Sequence, residues 1–193
     1  MRNQKSKKQI HLTPARAALL YSLFVFESMG ENSTVFTANK LAYFLQRKGQ
    51  KLNLNFKAHY YGPYAIGVEK VLYHLNGVYL KGLEQSEIKP FEPLHLNYEK
   101  WAEIDGYVNS VMSREDADRV KSLGKFLSDY TSELSLEILA TVDFILAENP
   151  GYSVDEVMQY ISKWNERKKE LFKKEYVQTS FNYLKNYASE FSS

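Results

Sequence analysis

The segment that most restricts this fold is Leu134 to Leu146, a run apolar enough to be a central core helix. It falls short of the roughly 20 apolar residues that a membrane span requires. Asn149-Pro150-Gly151 breaks it, and Ser153-Val154-Asp155-Glu156 then reads as a capping box opening another helix. A core helix of this kind needs amphipathic partners, and the rest of the chain supplies them.

Thr13-Pro14 is an N-cap followed by proline at the first helical position, where its missing N–H costs nothing. The spacing predicts a helix to about Met29, stopped by Gly30 in the left-handed conformation. Thr37 is the expected cap of a second helix, with Leu41, Phe44 and Leu45 as its stripe and Gly49 as its end. Leu52 to Ala58 alternates apolar and polar residues, the period of a half-buried strand. Gly62-Pro63 is the expected sharp bend, and Val68, Val71, Leu72 and Leu75 mark a further helix. Val78 to Leu83 and Leu94 to Tyr98 suggest two more strands. Beyond them Ser113 with Asp116 resembles a capping box, and Val177, Phe181 and Leu184 stripe a final helix.

The expected class is α+β and predominantly helical: N-terminal helices with a small antiparallel sheet, then a helical lobe. Residues 1–11 are expected to be a disordered basic arm. Residues 12–193 are expected to form a single compact domain, mixed over 12–98 and helical over 99–193.

Net charge is only +2 but unevenly spread. Residues 1–83 hold 12 basic and 3 acidic side chains, whereas residues 84–137 hold 6 and 12. A basic first part and an acidic middle can steer partners of either sign. The ordinary alternative is a set of solvated helix faces. Aromatic residues reach 15%, with 15 Tyr and 11 Phe, enough that some rings should face a partner.

Recognisable chemistry is scarce. With no cysteine, disulfides, thiolate metal sites and cysteine nucleophiles are excluded. His11, His59, His74 and His95 show no metal-ligand spacing, so no metal is expected. There is no G-x-S-x-G and no G-x-G-x-x-G. Gly77 and Gly82 have phosphate-loop spacing, but Leu83 follows where lysine is required. Glu133 and Glu137 lie four apart, as carboxylates on charged helix faces routinely do. The expectation is a binding domain: no enzyme, no cofactor. The basic N-terminus lacks the apolar stretch of a signal peptide, which gives a cytoplasmic expectation and no membrane partner.

Two aromatic–polar clusters are candidate partner-binding sites. The first is Lys57, His59, Tyr60, Tyr61 and Tyr64 around Gly62-Pro63. Its rings could stack on bases or on a nicotinamide, fill a partner's cleft, or seal a strand–helix corner. The second is Trp164 to Lys169, where Asn165 and Arg167 are contact candidates. Lys168 and Lys169 are expected to form a solvated basic helix end.

Several blocks also resemble a known family. Leu12 to Leu20, Lys40-Leu41-Ala42-Tyr43-Phe44-Leu45-Gln46, Leu54-Asn55-Phe56 and Tyr61-Gly62-Pro63-Tyr64-Ala65 are similar to blocks of the C-terminal domain of DarG-type antitoxins. Leu75 to Tyr79, Glu137 to Val142 and Trp164 to Lys168 continue the resemblance in order. The resemblance implies a cognate DarT-type toxin as partner, an enzyme that uses NAD to ADP-ribosylate thymidine in single-stranded DNA. In that family a macrodomain strips the modification and the C-terminal domain binds the toxin. No macrodomain sequence is present here, so reversal activity is expected to be missing. Fragment and stand-alone neutraliser both remain open.

The leading expectation is an antitoxin domain that occludes the toxin. Local mimicry of single-stranded DNA is one route, through Glu99, Glu103, Asp105, Glu115, Asp116 and Asp118. The alternative is a winged-helix-like module binding nucleic acid directly. Against it, no helix-turn-helix pair directly precedes the expected hairpin, and the pI of about 8.5 is modest.

Overall fold

Helix α6, Glu133–Glu148, is the axis on which the chain is assembled, and every residue from Leu136 to Ile145 is buried. A computed structural model describes residues 10–83 and 89–191. Helices α1 (Pro14–Ser28) and α2 (Val35–Arg47) come first, followed by strands β1 (Lys57–His59) and β2 (Gly62–Tyr64) and helix α3 (Ile66–Leu75). Strands β3 (Leu80–Lys81) and β4 (His95–Leu96) close the mixed part. Then come α4 (Trp101–Ser110), α5 (Arg114–Leu127), α6, α7 (Val154–Trp164), α8 (Glu166–Leu171) and α9 (Lys174–Asn186). The chain is thus predominantly helical α+β, with two small antiparallel two-stranded sheets, β1–β2 and β3–β4.

Helix α1 packs on α2, α4 and α5, while α6 packs on α2, β2, α7 and α9. One hydrophobic cluster therefore runs from Leu20 and Leu23 through Phe44 and Phe126 to Leu139, Val177 and Leu184. None of the helices among the described residues is long and apolar enough to cross a membrane.

Local chemistry sets the helix ends. Thr13 Oγ1 accepts from Arg16 N, and Ser153 and Glu156 satisfy both halves of the capping box. Gly30 takes φ +96° just past α1. The second helix begins one turn earlier than expected. Thr34 is its cap, accepting from Thr37 N at 3.0 Å, and Thr37 lies inside the first turn.

The strands are shorter than the alternation suggested. Leu52, Leu54 and Phe56 are half-buried between exposed neighbours, so the alternation in burial is real, yet the ladder spans only Lys57–His59. The Gln46 side-chain amide takes the place of a neighbouring strand, donating to Leu54 O and accepting from Leu54 N, both at 2.9 Å. Asn53 at φ 55° interrupts the extended backbone. The expected strands at 78–83 and 94–98 likewise reduce to two residues each. The sharp bend also moves: Tyr60-Tyr61 turn the hairpin, and Gly62-Pro63 are buried residues of β2.

The expected arm is outside the described residues up to residue 9. At its end the boundary shifts, because Ile10 is buried and its carbonyl accepts from Tyr79 Oη at 3.3 Å.

Gly62 ties hairpin to core. It has φ +92°, and a Cβ there would lie 2.8 Å from Thr141 Oγ1 of α6. Gly30, at φ +96°, has open space around it. Gly30→Ala should therefore cost only the left-handed backbone, about 1–2 kcal/mol. Gly62→Ala should cost clearly more, because Thr141 is buried and cannot retreat. Urea denaturation of both variants measures the difference, and equal losses would refute the close seat of β2 on α6.

Candidate functional site

The two sequence clusters, about a hundred residues apart, meet at the tip of the β1–β2 hairpin. Trp164 Nε1 donates to His59 O at 2.9 Å, and Asn165 Nδ2 donates to Tyr60 O at 3.1 Å. Asn165 also caps α8, its Oδ1 accepting from Lys168 N at 2.8 Å. One asparagine thus starts a helix with its oxygen and clamps the hairpin turn with its nitrogen.

Arg167 lies over the turn, its guanidinium carbon 4.9 Å from the Tyr61 ring centre and 5.9 Å from that of Tyr60. Its Nη1 donates to Glu137 Oε1 at 2.8 Å. The same oxygen pairs with Lys168 Nζ. The expected solvated position of Lys168 is therefore incorrect. Its side chain is fully buried, with Nζ 4.6 Å from the Phe172 ring centre and 5.6 Å from that of Trp164. Lys169 does lie in solvent, paired with Glu166 at 2.9 Å.

Beneath the hairpin, Lys40 of α2 is buried and donates through Nζ to Pro63 O at 2.8 Å. Its neighbour Asn39 accepts from Ala65 N at 2.9 Å, so adjacent α2 side chains hold both ends of the β2–α3 connection. Arg167 and Lys168 thus share one carboxylate, Glu137, while Lys40 is bonded to the β2 backbone. Burial pushes the Lys40 amine down to about 7, although Glu137 pulls the other way and Lys168 reinforces the fall. Burial also lowers Lys168, against the attraction of Glu137. His59 is lowered by burial and then by the Lys40 charge.

The rings divide into held and free. Tyr61 is edge-on to Phe91, with centres 4.9 Å apart, and to Phe36 at 6.4 Å. Tyr64 hydrogen-bonds Glu69, and His59 stacks on Tyr64 at 4.7 Å. Tyr60 is 48% exposed, and Lys57 is exposed with no ion pair among the described residues. Between the hairpin tip and the outer face of α7 lies a groove of about 840 Å³, with His59 and Tyr60 on one side and Tyr160, Lys163 and Trp164 on the other.

The acidic middle is compensated within its own helices. Arg119 pairs with both Glu115 and Asp116, and Arg114 reaches Asp118 at 3.9 Å. Glu103 is engaged by Lys100 and by Tyr79, while Asp105 accepts from Asn109 at 2.9 Å.

Sequence reasoning passed over Lys40 as a site residue, took Glu137 for an ordinary helix-face carboxylate and placed Lys168 in solvent. A signal existed: Glu137 stands in a run otherwise buried on all sides, and a carboxylate there must find cations. Among the described residues no group of three or more His, Asp or Glu is placed to hold a metal ion.

No protein-family model matches this chain. A protein of Thermus aquaticus named DNA ADP-ribosyl glycohydrolase is 30% identical over 185 residues, 92% of this chain and 48% of the relative. The chain thus spans about half the length of the curated relative it matches. This finding overturns the expectation that the chain is no enzyme, since nearly all of it aligns with a protein named for hydrolysis. Short sequence motifs do not decide the point, because catalytic groups often converge from distant parts of a chain.

The Lys40 amine gives a pH prediction. Its folded pKa is lowered, so between about 7 and the ordinary lysine value near 10.4 the unfolded chain binds the extra proton. Stability should therefore rise with pH through this window, approaching about 1.4 kcal/mol per unit. Denaturant titrations at pH 7, 8 and 9 should show this rise in the wild type and a flatter profile in Lys40→Met. Identical profiles would mean that Lys40 is not buried as described.

Proposed function

We propose that this chain serves the control of DNA ADP-ribosylation by binding a DNA-modifying ADP-ribosyltransferase of the DarT type. The contact surface is the hairpin tip with the start of α8: Lys57, His59, Tyr60, Tyr61, Tyr64, Asn165 and Arg167. The observation that carries the reading is the convergence of two sequence-distant aromatic and basic clusters on one surface, fastened by Asn165, Trp164 and Arg167. Rigid rings held in advance lose little entropy on association, which is how tyrosine and arginine come to dominate interfaces.

Two further facts support it. The blocks resembling DarG-type antitoxins include this surface, Tyr61 to Ala65 and Trp164 to Lys168. The Thermus aquaticus relative is named for removing ADP-ribose from DNA, the process such a transferase opposes. Mimicry by the acidic middle has less behind it, because most of those carboxylates already have local partners.

The rings should respond differently to truncation. Tyr60→Ala should weaken transferase binding by more than about 1 kcal/mol, roughly fivefold or more, with an unchanged unfolding midpoint. Tyr61→Ala should lower the midpoint, because Tyr61 packs on Phe36 and Phe91. Co-expression with a DarT-type transferase, co-purification, titration calorimetry and thermal unfolding measure both. Failure of the wild-type chain to co-purify would overturn the reading.

A further inference from the structure

The groove beside the hairpin is not accounted for by the clamp that fastens it. Its far wall is one stripe of α7, Tyr160, Lys163 and Trp164, together with Gln159. At about 840 Å³ it is of a size that ligand sites have.

Its rings are arranged edge to face. Tyr160 meets Trp164 at 64° with centres 6.0 Å apart, and Tyr60 meets Tyr61 at 86° and 4.8 Å. None of these pairs is stacked in parallel, and although Arg167 lies 5.9 Å over Tyr60 and Lys168 Nζ 5.6 Å over Trp164, Tyr160 has no cation over its ring among the described residues. Exposed Gln159 adds an amide, a group that can pair with a base edge.

Charge narrows the guest further. Lys163 is exposed at the groove and has no ion pair among the described residues. Lys57 lies two residues before His59 on β1, hence on the same face, and is likewise unpaired. Among the described residues Glu156 also lines the groove, its carboxylate held by Ser153 N and Oγ, both at 2.7 Å, and Glu148 accepts from Tyr160 Oη at 3.4 Å, so a guest's phosphates must sit on the lysine side. Two exposed lysines with no ion pair among the described residues, set beside aromatic rings, favour a polyanion carrying planar groups over an apolar peptide.

We infer that this groove binds single-stranded nucleic acid, with unstacked bases against Tyr60, Tyr160 and Trp164 and phosphates at Lys57 and Lys163. The inference goes beyond transferase binding and does not depend on it. Single-strand sites generally combine such stacking platforms with a cationic track and tolerate many sequences.

Fluorescence anisotropy with a short labelled thymidine oligonucleotide tests it, alongside its uridine counterpart and the same DNA as a duplex. The single strand should bind and the duplex should not. The uridine arm distinguishes a DNA site from one that accepts either sugar. Two phosphates neutralised on a single strand predict a slope of about −1.4 for log association constant against log salt. Lys163→Gln should bring it to about −0.7. Tyr160→Ala should cost at least about tenfold in affinity. Lys163→Gln changes an exposed side chain, so it decides the matter even if Tyr160→Ala disturbs the fold. No single-strand binding, equal binding of duplex, or binding indifferent to both substitutions would overturn the site. If Tyr160→Ala abolishes transferase co-purification while the wild type binds no oligonucleotide, the groove belongs to a protein interface and this inference fails. Transferase binding is read separately, so either reading can fail without the other.

Discussion

Glu137 is a carboxylate in the middle of a helix whose surroundings are otherwise apolar, and the site is built around satisfying it. A buried carboxylate without partners would be costly enough to force protonation or unfolding. Here Lys168 and Arg167 from α8 supply the partners, so the short α8 is drawn onto α6 and the hairpin. Six residues are too few for a helix to be stable by propensity. Its position is due to this pairing and to the Asn165 cap. Removing Glu137 alone would leave two cations beside the core, the situation in which breaking a buried pair costs about 3–5 kcal/mol.

Glu137 is paired with Lys168 and Arg167, whereas the acceptor of Lys40 among the described residues is Pro63 O. A neutral amine can make that bond as well as an ammonium can. Burial is the main reason the Lys40 amine is lowered, and the charge of Lys168 adds to the fall. Asp143, the other acid of the apolar run, is satisfied more simply by Tyr43 Oη at 2.6 Å and Arg47 Nε at 2.7 Å.

What was legible beforehand follows the range of the forces involved. Helix starts depend on side chains three residues away, so Thr13, Ser113 and Ser153 could be read directly. Thr37 was misread because Thr34 and Thr37 are both competent caps, and the two hydroxyls lie 3.0 Å apart in the same first turn. The strand at 52–58 was overextended because period two reports burial, whereas a ladder needs a partner that the sequence does not reveal. Here the partner of Leu54 is a glutamine side chain. Both clusters were visible as compositions. Their meeting was not, because it depends on bonds such as Trp164 to His59 across a separation that no local pattern records.

That meeting also decides which rings are available. Part of the surface is held in place by its own contacts: His59 is stacked on Tyr64, Tyr61 packs on Phe91 and Phe36, and Asn165 is bonded to its cap and to Tyr60 O. Tyr60, Lys57 and Lys163 stay exposed, while Tyr160 on α7 is half-buried, its hydroxyl donating to Glu148 at 3.4 Å. A ring that is presented but not buried keeps its desolvation free energy for association, and the committed neighbours keep its backbone still. The binding capacity of this surface therefore rests on the free residues, and its geometry on the held ones. Substitutions in the first set should alter affinity, and in the second stability.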